Sequence, residues 1–286
     1  MKTRIEASLQ SALAGVDRDA PPRLRAALRH AVFPGGARVR PRLALAVAGA
    51  CGGQSPGLAL ATGCALEFLH CASLVHDDLP CFDDADLRRG RPSVHRAFGE
   101  PLAVLAGDAL ILLAFETVAR AGHVAPERLP GLMTLLAEAA GPARGLVAGQ
   151  AWESEPEVDV ARYHRAKTGA LFLAATRGGA LAAGADPQPW SLVGMRLGEA
   201  YQVADDLCDA HATAETAGKP TQCDVRNDRP SAVTRLGTPG ALALLQELVA
   251  EAVEAVPACE GQEALRDLVV KIAERLVPAS LQHAAA

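Results

Sequence analysis

Two groups of aspartates carry the clearest chemical signal in this 286-residue chain. The first comprises Asp77, Asp78, Asp83, Asp84 and Asp86 within HDDLPCFDDADLRRGRP; the second comprises Asp205, Asp206 and Asp209 within YQVADDLCD. On a helix, the i and i+4 spacing puts Asp205 and Asp209 on one face, with Asp206 beside them. Like charges one turn apart repel, and these follow a strongly apolar run, so something cationic should offset the cost. Hard oxygen ligands in this pattern suit Mg²⁺, which keeps waters and is completed by substrate phosphates. In the first group, Asp83 lies about 240° around an ideal helix from Asp77 and would face away. Pro80 removes a helical hydrogen bond there, and the resulting break could bring Asp83 back toward Asp77. Asp84, in phase at i+7, competes for the same role.

A single acidic pair is ordinarily a solvated face. Here each of two distant groups ends an apolar segment, and basic residues stand near both. Arg88, Arg89 and Arg91 follow the first group, Lys167, Lys219 and Arg229 lie further on, and Arg38 and Arg40 occur in GGARVR near the N-terminus. Carboxylates with Arg and Lys, but without a Gly-rich P-loop, describe a site for diphosphates held by bridging metal ions and guanidinium contacts. The formal net charge of −5 argues against sequence-independent nucleic-acid binding. Metal ions invert the local charge, so an acidic protein can still take a polyanion.

The elements that must position these groups are helices. Gly/Pro clusters at 34–36, 51–57, 89–92, 141–145, 185–190 and 237–240 punctuate the chain. Between them apolar residues recur at helical spacing, as in LALATGCALEFLHCASLVH and SLVGMRLGEAYQVADDLCDA. Several such segments are apolar nearly all round, as in the centre of a large bundle. Half the residues are apolar and only 3% aromatic, a composition that favours helices packed through small side chains. No period-2 alternation bounded by hairpin turns is present, so strands are not expected. One all-α domain spanning 1–286, a single helical bundle, is predicted. Asp108, inside PLAVLAGDALILLAF, reads as a helix N-cap.

The N-terminus lacks an apolar signal region, and no uninterrupted apolar run reaches the roughly 18–20 residues of a membrane span. The seven cysteines are odd in number and show no CxxC pairing. They read as buried small hydrophobes in a reducing cytoplasm.

The ordered blocks resemble the trans-polyprenyl diphosphate synthases. GGARVRP is similar to that family's GGKRxRP, and LHCASLVHDDLPCFDDADLRRGRPSVH to its first aspartate-rich region in the longer DDxxxxD form. AGDAL, GQ at 149–150, KTGALF at 167–172, YQVADDLCD and GKPTQCD at 218–224 also have counterparts there. Details such as GQAWESE look most like the bacterial carotenoid-pathway branch, the geranylgeranyl diphosphate synthases. The resemblance implies an isoprenoid-synthase bundle around a central apolar cavity, a homodimer, and Mg²⁺-dependent head-to-tail condensation of isopentenyl diphosphate with dimethylallyl, geranyl or farnesyl diphosphate.

By that resemblance Asp77, Asp78, Asp83, Asp205 and Asp209 carry up to roughly three Mg²⁺ ions with the substrate diphosphate. Arg88, Lys167, Lys219 and Arg229 hold the allylic diphosphate, and Arg38, Arg40, His70 and Arg89 hold isopentenyl diphosphate. Thr168 and Gln202 offer oxygens near the developing cation. His70 reads equally well as a satisfied core histidine, and Lys219 as an ordinary loop lysine between Gly218 and Pro220. Three positions depart from the family pattern: Ala37 replaces a lysine, Glu153 an aspartate, and Arg229 the lysine of a second GK pair. Where C15-producing members place an aromatic floor, this chain has Ala72 and Ser73, which points to a C20 product. A C15 farnesyl synthase is the alternative; a class I terpene cyclase and a catalytically silent partner subunit fit less well.

Overall fold

The computed structural model describes residues 1–16, 19–33, 36–53, 55–211 and 231–274. The N-terminal helices are α1 (Lys2–Val16), α2 (Pro22–Val32), α3 (Val39–Ala50) and α4 (Pro56–Asp77). The middle of the chain forms α5 (Val94–Phe98), α6 (Glu100–Ala121), α7 (Leu129–Ala140), α8 (Leu146–Ala151) and α9 (Val160–His164). A π-helical turn, Arg165–Gly169, leads into α10 (Ala170–Ala183) and α11 (Ser191–His211). The last described helices are α12 (Ala232–Glu254) and α13 (Gln262–Glu274). The all-α expectation holds.

α4 is the central element. Pro56 at its start lacks only a donor that the first turn leaves unused. Its core-facing residues include Leu58, Leu66, Phe68, Leu69 and Ala72, all essentially inaccessible to solvent. α6, α3 and α10 surround it, and alanines at the contacts let the helices approach closely. The helix stops at Asp77, with Asp78 as its C-cap donating its N–H to Leu74 O, and Pro80 two residues on prevents its continuation. Because α10 starts where α4 and α11 end, one end of the bundle collects three helix termini.

Two expectations need correction. The chain does contain strands: β1 (Leu87–Arg88) pairs antiparallel with β2 (Arg91–Pro92), Arg88 opposite Arg91. Arg89 and Gly90 between them both have positive φ, 53° and 72°, which builds a tight two-residue hairpin. Two residues per strand are too few to show alternation. Asp108 is not a helix cap, since it lies inside α6, exposed, 3.9 Å from His76.

Pro56–Asp77 and Glu100–Val124 are long and apolar enough to cross a membrane by length and composition, although Glu67 interrupts the first and Asp108 the second, so no uninterrupted apolar run spans either. The first is 83% buried within the protein and is a core helix. The second keeps an outward apolar stripe that includes Val104, Leu105 and Leu112.

Candidate active site

The acidic groups sit at helix C-termini, where the macrodipole already places partial negative charge. Asp77 is the last residue of α4, and Asp205, Asp206 and Asp209 occupy the closing turns of α11. Nothing in local helix stability favours carboxylates there, so their cost has to be met by partners.

Around Asp77 and Asp78 the partners are largely cationic. Arg88, on the hairpin, donates from Nε to both carboxylate oxygens of Asp78 at 3.0 and 3.2 Å, and its Nη2 also bonds Oδ1. Lys167 Nζ lies 3.7 Å from Asp77 Oδ1 and is in direct contact with Glu153. Gln150 donates to Asp77 Oδ1 at 3.0 Å and to Ser73 O at 3.1 Å. Tyr163 donates to Glu153 at 2.6 Å. Burial pushes the Asp77 and Asp78 carboxyls above the usual range, although Lys167 and Gln150 oppose the shift at Asp77 and Arg88 opposes it at Asp78. Burial would lower the Lys167 ammonium, but Asp77, Tyr163 and Glu153 outweigh it, so this lysine stays charged.

The break after α4 separates the two candidates for the third carboxylate. Asp83 N–H donates to Asp77 O at 2.9 Å, Asp84 N–H to Leu79 O at 3.1 Å and Ala85 N–H to Asp78 O at 3.2 Å. The chain therefore folds back on the end of the helix. The Asp83 charge acts on Asp77, Asp78 and Arg88. Asp84 turns outward, its carboxylate 3.1 Å from Arg96.

A π-helical turn joins the two acidic ends. Lys167 reaches Asp77, while Thr168, the next residue, donates to Gln202 Oε1 at 2.7 Å. Gln202 donates in turn to Asp206 Oδ1 at 2.9 Å. Two glycines clamp this turn. A Cβ on Gly149 would lie 2.5 Å from Lys167 Cα, and one on Gly198 would lie 2.6 Å from Gly169 Cα. Asp206 is buried and also accepts from Ala232 N–H at 2.7 Å, tying α11 to the start of α12. Burial raises its pKa against those two hydrogen bonds.

The basic residues separate into two kinds. Arg40 is buried, its guanidinium 5.0 Å from the Phe172 ring centre and 5.7 Å from that of Tyr201, and its Nε has no hydrogen-bond partner. Burial and the charges of Arg40 and Arg89 hold the His70 imidazole well below its usual pKa. Arg89 leans on Gly36, with its Cζ 3.3 Å from where a Cβ would stand. A cavity of about 30 Å³ opens beside Asp78, Arg88 and Arg89.

Arg38 corrects the sequence expectation. Its guanidinium is wholly buried and committed to Glu67 at 2.7 Å, to Glu6 at 2.9 and 3.2 Å and to Val32 O at 2.8 Å. It pins α1 and α4 to the start of α3, and four of the five guanidinium N–H groups are already taken by the protein. Lys219 and Arg229 lie outside the described residues. Sequence reasoning assigned no role to Gln150 and none to Glu153 beyond its departure; the GQ block was the available signal for the first.

Residues 21–259 match the polyprenyl synthetase family model. The chain belongs to the polyprenyl synthetase family. It is 52% identical over 279 residues to a geranylgeranyl diphosphate synthase of Cereibacter sphaeroides, covering 97% of each chain. It is 51% identical over 283 residues to the geranylgeranyl diphosphate synthase of Rhodobacter capsulatus, covering 98% of each. Among solved structures, a geranyltransferase from Helicobacter pylori complexed with magnesium and isoprenyl diphosphate superposes with a TM-score of 0.78 at 28% identity. That match covers 94% of this chain and 95% of the other. The bundle is thus of the isoprenoid synthase type.

The family implies Mg²⁺, and the donor set fits it. The acids are hard oxygen ligands stacked at two helix C-termini, and a divalent cation would relieve the burial cost seen at Asp77 and Asp78. Among the described residues, no group of three or more His, Cys, Asp or Glu side chains is gathered tightly enough to hold a metal by itself.

Proposed function

We propose that the chain condenses isopentenyl diphosphate with allylic diphosphates to form geranylgeranyl diphosphate, as a single-domain prenyltransferase. What carries this reading is the π-helical turn whose adjacent residues Lys167 and Thr168 reach the acidic ends of α4 and α11. Near full-length similarity to geranylgeranyl diphosphate synthases supports the product.

Asp77, Asp78, Asp83, Asp205 and Asp209 are the residues that would hold Mg²⁺, which when bound neutralises the leaving diphosphate as a Lewis acid. Lys167 and Arg88, with Lys219 and Arg229, bind the allylic diphosphate and accept its charge as the C–O bond breaks. Arg40, His70 and Arg89 hold isopentenyl diphosphate so that its double bond faces the allylic carbon; a new C–C bond forms and a proton leaves. Arg40 already carries an unmet donor that an anion would satisfy. Thr168 and Gln202 present oxygens to the allylic cation.

The growing tail follows α4 away from Asp77, past Ser73 and Ala72, both buried and small. The outward stripe of α6, Val104, Leu105 and Leu112, is the face we assign to a second copy of the chain. Among the described residues no cysteine forms a disulfide, in keeping with a cytoplasmic setting and a place in isoprenoid or carotenoid supply.

The test is to incubate the pure chain with Mg²⁺, isopentenyl diphosphate and, in separate runs, dimethylallyl, geranyl or farnesyl diphosphate, and chromatograph the dephosphorylated products. A C20 alcohol is expected. A product stopped at C15 from shorter primers identifies a farnesyl synthase, a cyclic hydrocarbon a cyclase, and no turnover a silent subunit. Ala72→Tyr should shorten the main product to C15; if it still makes C20, Ala72 is not the gate.

A further inference from the structure

Asp84 has a left-handed backbone, φ 45°, next to Asp83, whose N–H bonds the end of α4. Left-handed residues other than glycine are uncommon, and Asp and Asn are the side chains that best tolerate the conformation. Outside the loop, Asp84 meets a built anchorage. Arg96 Nη2 donates to its Oδ1 at 3.1 Å, and Arg96 Nε also pairs with Asp86 at 2.6 Å. His95 Nε2 lies 3.6 Å from the same Asp84 oxygen, too far for a hydrogen bond. His95 is buried, has no hydrogen-bond partner on Nε2, and is fixed at its other nitrogen by Ser93 Oγ, 3.0 Å away. Ser93 N–H in turn donates to Asp86 O at 2.9 Å. The loop from Asp83 to Ala85 is thus fastened on both sides, by backbone bonds to the end of α4 and by the Asp84 carboxylate to α5.

We propose that Asp84 is a positioning residue: held by Arg96, it fixes the chain reversal that brings Asp83 beside Asp77 and Asp78, and so sets the affinity of that end for divalent metal. The inference rests on the reading that Asp77, Asp78 and Asp83 hold metal. Removing the Asp84 side chain frees the reversal, and Asp83 spends less time beside its partners. Asp84→Asn keeps both the tolerance for positive φ and an oxygen for Arg96 to donate to, so it restores the geometry without the charge.

Mn²⁺ binding in the presence of inorganic diphosphate, followed by electron paramagnetic resonance on the full chain, reads this directly. Asp84→Ala should weaken Mn²⁺ binding about tenfold, as loss of an outer-shell support does in metal sites. Asp84→Asn should stay within about threefold of the parent chain, and turnover of Asp84→Ala at saturating Mg²⁺ should fall far less than that of Asp77→Ala. Arg96→Ala removes the same anchor from an exposed position and should also weaken Mn²⁺, which covers the case of Asp84→Ala failing to fold. Unchanged Mn²⁺ binding in Asp84→Ala or, should that variant not fold, in Arg96→Ala would overturn the proposal. So would Asp84→Asn behaving like Asp84→Ala, because Asp84 would then act by its charge or as a ligand. Parent-like Mn²⁺ binding in Asp77→Ala would instead sink the metal reading itself.

Discussion

The ends of α4 and α11 carry the same kind of side chain and meet the cost of burying it in different ways. At α4, Asp77 and Asp78 are balanced by Lys167 and Arg88, cations that a diphosphate can recruit. At α11, the buried Asp206 is balanced by neutral donors, Gln202 and the Ala232 N–H, which lock α11 to α12. Charge pairing leaves the first end able to exchange partners, whereas hydrogen bonding makes Asp206 a structural hub flanked by Asp205 and Asp209. On the proposed function, the outer aspartates of α11 carry the chemistry and the middle one the architecture.

Substitutions can break that division. Asp77→Ala and Asp205→Ala should each lower kcat about a thousandfold, the scale of losing a principal charge-stabilising group. Retention of activity by either variant in a steady-state assay removes that residue from the metal set. Lys167→Ala should cost about a hundredfold in kcat/KM for the allylic substrate, with Lys167→Arg recovering part of it. An equal loss for isopentenyl diphosphate alone would place Lys167 at the other substrate. Asp206→Ala should act mainly on stability, by about 1–3 kcal/mol in denaturant unfolding, because it leaves the Ala232 N–H without its acceptor. A kcat loss as large as that of Asp205→Ala would erase the proposed division.

The smallest effect concerns pH. Burial raises the Asp77 pKa in the folded chain above its unfolded value, near 3.9. The folded state therefore binds that proton more tightly, and stability falls as pH rises from the unfolded value through the raised one. In chelator, Asp77→Asn should melt slightly above the parent chain at neutral pH, the two converging in acid. A lower melting temperature for the variant would mean that Lys167 more than offsets the burial of the carboxylate.

Much of this architecture is visible in local pattern. Helical spacing locates α4 and α11, and Pro80 marks where Asp83 can swing back. Long-range commitments are not visible. Arg38 looks as available as Arg40 in GGARVR, and only folding brings Glu6 and Glu67 onto it. The Leu87–Pro92 hairpin is too short to leave a periodic trace, yet it delivers Arg88 to Asp78. Gln150 and Glu153 act through residues in other helices, so no spacing rule near them announces their role. Where Asp83 and Asp84 sit after α4 depended on backbone bonds that an ideal helix does not contain.

That both acidic ends serve one reaction is the central claim, and a double-mutant cycle tests it most directly. If Asp77 and Asp205 act as a unit, the Asp77→Ala, Asp205→Ala double variant should have a kcat close to that of the slower single variant. Losses that multiply, so that the double variant falls by the product of the two, would mean independent sites and contradict the account.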